Sequence, residues 1–178
     1  MTTQCNEGKE RFPGCESLGS AAPFAENILE IIDHIHIFEG FDRADVVDLA
    51  QHMMCYRAAA GKEIVREGVP GEFMLLLLEG NIEIVKIGST GLPQRIGVVS
   101  PGETLGEMSL VDGEPRFASC VSLDQIMFAV LDRDALALIL RNEPHLGIKI
   151  LMELLKLLNQ RLRSTGKRLV QALDHCRI

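Results

Sequence analysis

From Phe24 the apolar residues Ile28, Ile31, Ile32 and Ile35 follow at three- and four-residue intervals, the spacing that gathers side chains on one face of an α-helix. Ile37-Phe38-Glu39-Gly40-Phe41 breaks that period. Asp42, whose short carboxylate suits the free amides of a first helical turn, is predicted to cap a second helix with Val46, Leu49, Ala50 and Met53 as its buried stripe. At Cys55 the period changes to two. Residues 64–66, 73–78, 82–87, 96–99, 118–122 and 126–131 read as short strands punctuated by glycine turns. The unbroken apolar run 73–78 predicts a strand buried on both faces.

Eight or so such antiparallel strands predict a β-roll of the jelly-roll type over about residues 55–131. Asp132 is the expected N-cap of a helix over 133–141, and Pro144 the first position of a long final helix. The fold class is therefore α+β: an antiparallel, jelly-roll-like β-roll flanked by N-terminal helices and by C-terminal helices over about 132–176. Residues 1–23, rich in Gly, Ser, Pro and charge and without periodicity, are expected to be a flexible N-terminal arm ahead of one domain, 24–178.

The final helix carries two apolar faces. Ile150, Leu154 and Leu157 suit packing on the roll, whereas Leu151, Leu155, Leu158, Leu162, Thr165, Leu169 and Ala172 alternate by fours and threes like a coiled-coil seam. That second stripe predicts a parallel homodimer; the alternative is that both stripes bury against the protein's own body.

Composition narrows the function classes. A content of 47% hydrophobic and 24% charged residues suits a folded globular chain, and no apolar run approaches the eighteen or so residues of a membrane span. The N-terminus lacks a basic region followed by an apolar core, so a cytoplasmic location is expected. The net charge of −7 opposes binding to duplex DNA. Arg161, Arg163, Lys167 and Arg168 do cluster late in the chain, where they read as a solvated helix face.

Five cysteines at 5, 15, 55, 120 and 176 contain no Cys-x-x-Cys, against a zinc site or disulfide framework, and Cys55 and Cys120 are expected to be core thiols. The five histidines, at 34, 36, 52, 145 and 175, all lie outside the roll. That removes the metal ligands a catalytic β-barrel would need, and no nucleophile has a histidine beside it within the roll. No metal, no cofactor and no enzymatic activity are expected.

The stretch with most chemistry is Leu105-Gly106-Glu107-Met108-Ser109-Leu110-Val111-Asp112-Gly113-Glu114-Pro115-Arg116-Phe117-Ala118-Ser119. Met108 to Val111 are enough for one helical turn. Its free amides attract an anion, and Gly106 lets that anion approach the backbone. Arg116 is a fork for two phosphate oxygens, and Glu107 an acceptor for a sugar hydroxyl. The competing reading is a Glu107–Arg116 ion pair that merely braces a loop.

Leu-Gly-Glu-x-x-Leu followed by Pro-Arg-x-Ala-Ser resembles the phosphate-binding cassette of the cyclic-nucleotide-binding domains, and the turn residues 67–73 and 78–80 resemble the glycine turns of the same roll. The resemblance implies ligand-binding roles for Gly106, Glu107, Met108, Ser109, Arg116, Phe117 and Ala118. It further implies that Thr165 reads the purine from the final helix, although Gly166 stands where some relatives carry a serine. Phe117 offers no hydroxyl of the kind that assists guanine recognition, which favours cyclic AMP over cyclic GMP. Because the chain stops at Ile178, with no room for a DNA-reading helix-turn-helix, the expectation is a non-enzymatic sensor of cyclic AMP. It would signal through its C-terminal helix and a homodimer to an effector protein, without DNA or membrane contact. The alternatives are a sensor of cyclic GMP or cyclic di-GMP, or a dimerising scaffold that has lost its ligand.

Overall fold

In the computed structural model residues 11–33 and 40–175 are described. Strand β1 (Glu16–Ser20) leads through a 3-10 turn (Ala22–Phe24) into α1 (Ala25–Asp33), then α2 (Arg43–Gln51). The roll follows as β2 (Met54–Ala58), β3 (Glu63–Val65), β4 (Phe73–Glu79), β5 (Ile82–Ile87), β6 (Pro93–Val99) and β7 (Thr104–Leu105). Helix α3 (Glu107–Asp112) interrupts it before β8 (Ser119–Ser122) and β9 (Ile126–Asp132), and α4 (Arg133–Asn142) and α5 (Pro144–His175) close the chain. The strands form two sheets, ordered β1-β2-β9-β4-β7 and β3-β8-β5-β6, in which neighbouring strands run antiparallel.

The apolar run of β4 is buried on both faces because its alternate residues serve different cores. Met74, Leu76 and Leu78 face the helices, packing with Ile28, Leu49, Ile139 and Ile150. Leu75 and Leu77 face the inside of the roll, with Phe128, Ile82 and Val99. Cys55 and Cys120 are core thiols, and burial pushes their pKa values up to about 11 and about 12.

Sequence-level caps hold. The Asp42 side chain accepts from the Asp45 amide at 3.0 Å while Asp45 accepts from the Asp42 amide at 2.8 Å, a reciprocal box that opens α2. Asp132 accepts from the Ala135 amide at 2.8 Å to open α4, and Pro144 is the first residue of α5.

The stretch expected to be a flexible arm differs from that expectation where it is described. From Arg11 onward it lies on the roll: β1 pairs with β2, and Phe12, only 4% exposed, enters the core. A strand reading Glu-Ser-Leu-Gly-Ser has too little apolar content to be visible locally. Its order comes from hydrogen bonds to the free edge of β2. Residues 1–10 and His34 and His36 lie outside the described residues.

Two contacts fasten the start of α5 to α2. His52 Nε2 lies 3.0 Å from Glu143 Oε1 at the junction of α4 and α5, and Lys149 Nζ donates to Asp45 Oδ2. Burial raises the Asp45 pKa, but the hydrogen bonds from Lys149 and from the Asp42 amide outweigh it and hold the carboxyl below its ordinary value. A depressed carboxylate stabilises the fold above its unfolded pKa, and that contribution is lost as pH falls through the folded value. Asp45→Asn is expected to cost about 1–3 kcal/mol at neutral pH by leaving Lys149 unpaired. In urea titrations the gap from wild type should close below about pH 4; a gap independent of pH would contradict the pair.

Candidate functional site

Segment 105–119 leaves β7, makes the short helix α3 and returns through Pro115 to β8. Gly106 sits at φ +84°, and a Cβ there would fall 2.8 Å from the Phe73 carbonyl oxygen, so glycine is required on both counts. Arg116 is fixed along its whole length. Its backbone amide donates to Val69 O at 3.0 Å and its carbonyl accepts from the Gly68 amide at 2.8 Å. Its guanidinium, 5% exposed, donates to Gly106 O at 3.0 Å and to Phe73 O at 2.8 Å, with Cζ 4.1 Å from the Phe73 ring centroid.

Among the described residues no carboxylate pairs with Arg116. Burial lowers its pKa from the ordinary value, opposed by the Coulombic contribution of Cys120. A guanidinium carries five N–H donors, and two are spent on carbonyls here. The other three have no acceptor among the described residues.

Glu107 has no exposed surface at all, and its partner is not Arg116. Arg161, reaching over from α5, donates through Nη1 to Glu107 Oε1 and through Nη2 to Thr104 O, the latter at 2.6 Å. Burial pulls the Arg161 pKa below its usual value, with Glu103 opposing. Glu107 Oε2 and Thr104 Oγ1 are left buried without a hydrogen-bond partner. An unpaired buried acceptor of this kind costs about 1–3 kcal/mol, so the site holds an unmet demand for a donor.

The two readings of Glu107 and Arg116 are thereby separated. They do not form a loop-bracing ion pair, because each is held by something else. Around them Ser109 and Ala118 are buried, while Met108 and Phe117 are exposed. Phe117 is nonetheless tied down: Lys86 Nζ donates to its carbonyl at 2.6 Å, lies 4.5 Å from its ring centroid and is itself held by Glu67 at 2.6 Å. Thr165 is exposed on α5, one turn beyond Arg161.

Sequence reasoning missed four contributors. Arg161 belongs to the site and not to a solvated face; helix periodicity alone does not show which turn meets a loop 54 positions earlier. Phe73 supplies both a carbonyl and a ring to Arg116, and Thr104 supplies a carbonyl to Arg161. Gly71 leaves room for the guanidinium, since a Cβ there would fall 2.6 Å from Arg116 Cζ. The glycine-rich turn 67–73 was the one available signal.

A model of the cyclic nucleotide-binding domain family matches residues 57–143, which include all of this segment. A cyclic nucleotide-binding domain from Methylobacillus flagellatus KT has a TM-score of 0.82 to this chain at 40% sequence identity, with 91% of each chain covered. The chain belongs to the cyclic nucleotide-binding domain family. The matched residues include segment 105–119, which resembles that family's phosphate-binding cassette in sequence. The catabolite activator protein of Thermus thermophilus has a TM-score of 0.66 at 29% identity, over 75% of this chain and 61% of that one. A CRP-like cAMP-activated global transcriptional regulator of Mycobacterium tuberculosis is 26% identical over 140 residues, 79% of this chain and 61% of the regulator. The chain spans about three fifths of the length of those two regulators.

The Arg161–Glu107 pair of this cyclic nucleotide-binding domain is open to a double-mutant cycle. Glu107→Gln, Arg161→Met and the double variant, compared by urea denaturation, should show a coupling energy of about 1–3 kcal/mol. Additive effects would mean that the two side chains do not pair in solution.

Proposed function

We propose that the protein is a non-enzymatic sensor of a cyclic nucleotide, with cyclic AMP favoured, and that it reports occupancy through α5 to an effector protein. The observation that carries this reading is the state of the two buried ions of the cassette. Among the described residues Arg116 has no acid partner, and Glu107 keeps Oε2 buried and unpaired. A cyclic nucleotide brings both missing groups on one ribose, a phosphate for the Arg116 fork and a hydroxyl for Glu107 Oε2. The amides that follow Gly106 and that of Phe117 add donors for the phosphate, with Met108, Ser109 and Ala118 completing the wall.

Phe117 supplies an aromatic ring without a hydroxyl, in keeping with adenine over guanine. The cAMP activation stated for the Mycobacterium tuberculosis regulator supports the same choice. Thr165, one turn beyond Arg161 on the same helix, would read the exocyclic amine of the purine.

The signal would travel through Arg161. It holds the carboxylate that the ribose would also use, so ligand binding and the seating of α5 are linked, and the difference in affinity between two positions of α5 sets how far the population shifts. α5 would also carry the dimer seam. Ile150, Leu154 and Leu157 are buried against the body as expected, whereas Leu151, Leu155, Leu162 and Leu169 are exposed, Leu162 by 70%. Because the described part of the chain leaves that second stripe exposed, a second copy of the helix is the proposed cover.

Isothermal titration with cyclic AMP, cyclic GMP and cyclic di-GMP, repeated on Arg116→Ala, tests the sensor. Cyclic AMP should bind best, and Arg116→Ala should weaken it roughly 30-fold to several thousand-fold, the equivalent of about 2–5 kcal/mol, with the fold intact by circular dichroism. No binding of any of the three to nucleotide-free wild type would leave the scaffold reading standing. Sedimentation equilibrium tests the seam: Leu162→Glu should shift a wild-type dimer to monomer, and a wild type that is already monomeric would rule the seam out.

A further inference from the structure

The ring of Phe73 lies where the N-terminal strand meets the cassette. The Arg116 guanidinium lies over it at 4.1 Å from Cζ to centroid, and the edge of Phe12 meets it at 5.1 Å with an interplanar angle of 82°. Phe12 is also in edge contact with Tyr56 at 4.9 Å and with Phe128 at 5.3 Å, so it is the hub of a four-ring cluster. It sits on a strap held at both ends. Arg11 pairs with Asp132 at 2.9 Å and comes within 5.8 Å of the same Phe73 ring, and β1 pairs with β2 from Glu16 to Ser20.

We infer that Phe12 is a positioning residue for the anion-binding Arg116, acting through Phe73, and that seating of the strap and binding of a phosphate-bearing ligand are coupled. The physics is specific. With no carboxylate among the described residues to orient it, the Arg116 fork takes its direction from two carbonyl oxygens and one π-face. One of those carbonyls and the π-face belong to Phe73. A π-face attracts a cation only where the ring is correctly turned, and edge-on packing of Phe12 against it fixes that turn. Removing Phe12 leaves the carbonyl in place on β4 but frees the ring to rotate. By linkage, a ligand that orders Arg116 tightens the strap to the same extent that the strap tightens the ligand.

This inference rests on the cassette reading above, and the test separates the two. Cyclic AMP affinity is measured by titration on wild type, Phe12→Ala, Phe12→Leu and Ile28→Ala. Ile28 is equally buried but belongs to the helix-side core, so its truncation matches the loss of stability without touching Phe73. The Phe12 variants should bind about 5- to 30-fold more weakly, the range expected of one lost cation–π alignment, while Ile28→Ala stays within about twofold of wild type. Phe12→Leu keeps most of the apolar volume and decides the matter if the alanine variant does not fold. Hydrogen exchange adds a reciprocal readout: saturating cyclic AMP should slow the amides of β1 in wild type, and less so in Phe12→Leu. Affinity of Phe12→Leu equal to that of Ile28→Ala, with unchanged exchange in β1, overturns the coupling alone. A wild type that binds no cyclic nucleotide overturns the cassette reading together with it.

Discussion

A guanidinium buried without a carboxylate partner among the described residues is the constraint on which the rest of this structure depends. Taking Arg116 out of water is costly, and an ion pair that neutralised it would leave nothing for a ligand. The fold instead spends backbone on it. β4 offers the Phe73 carbonyl, the entry to α3 offers the Gly106 carbonyl, and Gly71 stays bare so that the side chain fits. The register of β4 between β9 and β7 keeps those carbonyls in place, and the two cores on either side of β4 keep the register. That charge is thus supported by a strand of the roll whose residues are buried on both faces.

Much of the fold was legible because its signals are local. Asp42 and Asp132 cap helices where a short acceptor precedes a periodic run, and the leucine run of β4 could only be a strand walled in on both sides. What was not legible depends on pairs distant in sequence. β1 has one leucine among polar residues and becomes a strand because β2 has an edge to offer, and Phe12 becomes core because Tyr56, Phe73 and Phe128 converge on it. The motif singled out Glu107 and Arg116, but residue types alone could not show that they are held apart. That distinction needed Arg161, which on helical periodicity reads as one more charge on a wet face.

The electrostatics of the site divide between two elements. Arg116 is locked to the roll, whereas the charge that balances Glu107 arrives on α5. The roll therefore contributes one cation and one anion, and the helix contributes the second cation. Lys149 fastens the opening turns of α5 to α2, His52 at the end of α2 holds the α4–α5 junction, and helix and cassette meet further along at Arg161.

The far end of α5 is exposed beyond Arg161 in every residue whose burial is described. At 1.5 Å per residue the fourteen positions from Arg161 to His175 extend about 20 Å. Under the proposed coupling through Arg161, a rigid rod of that length would act as a lever. A tilt of about 10° at the pivot sweeps the tip through roughly 4 Å, comparable to one turn of helix. A displacement too small to notice inside the cassette would thus be magnified into a change of register at the tip, using no flexible linker.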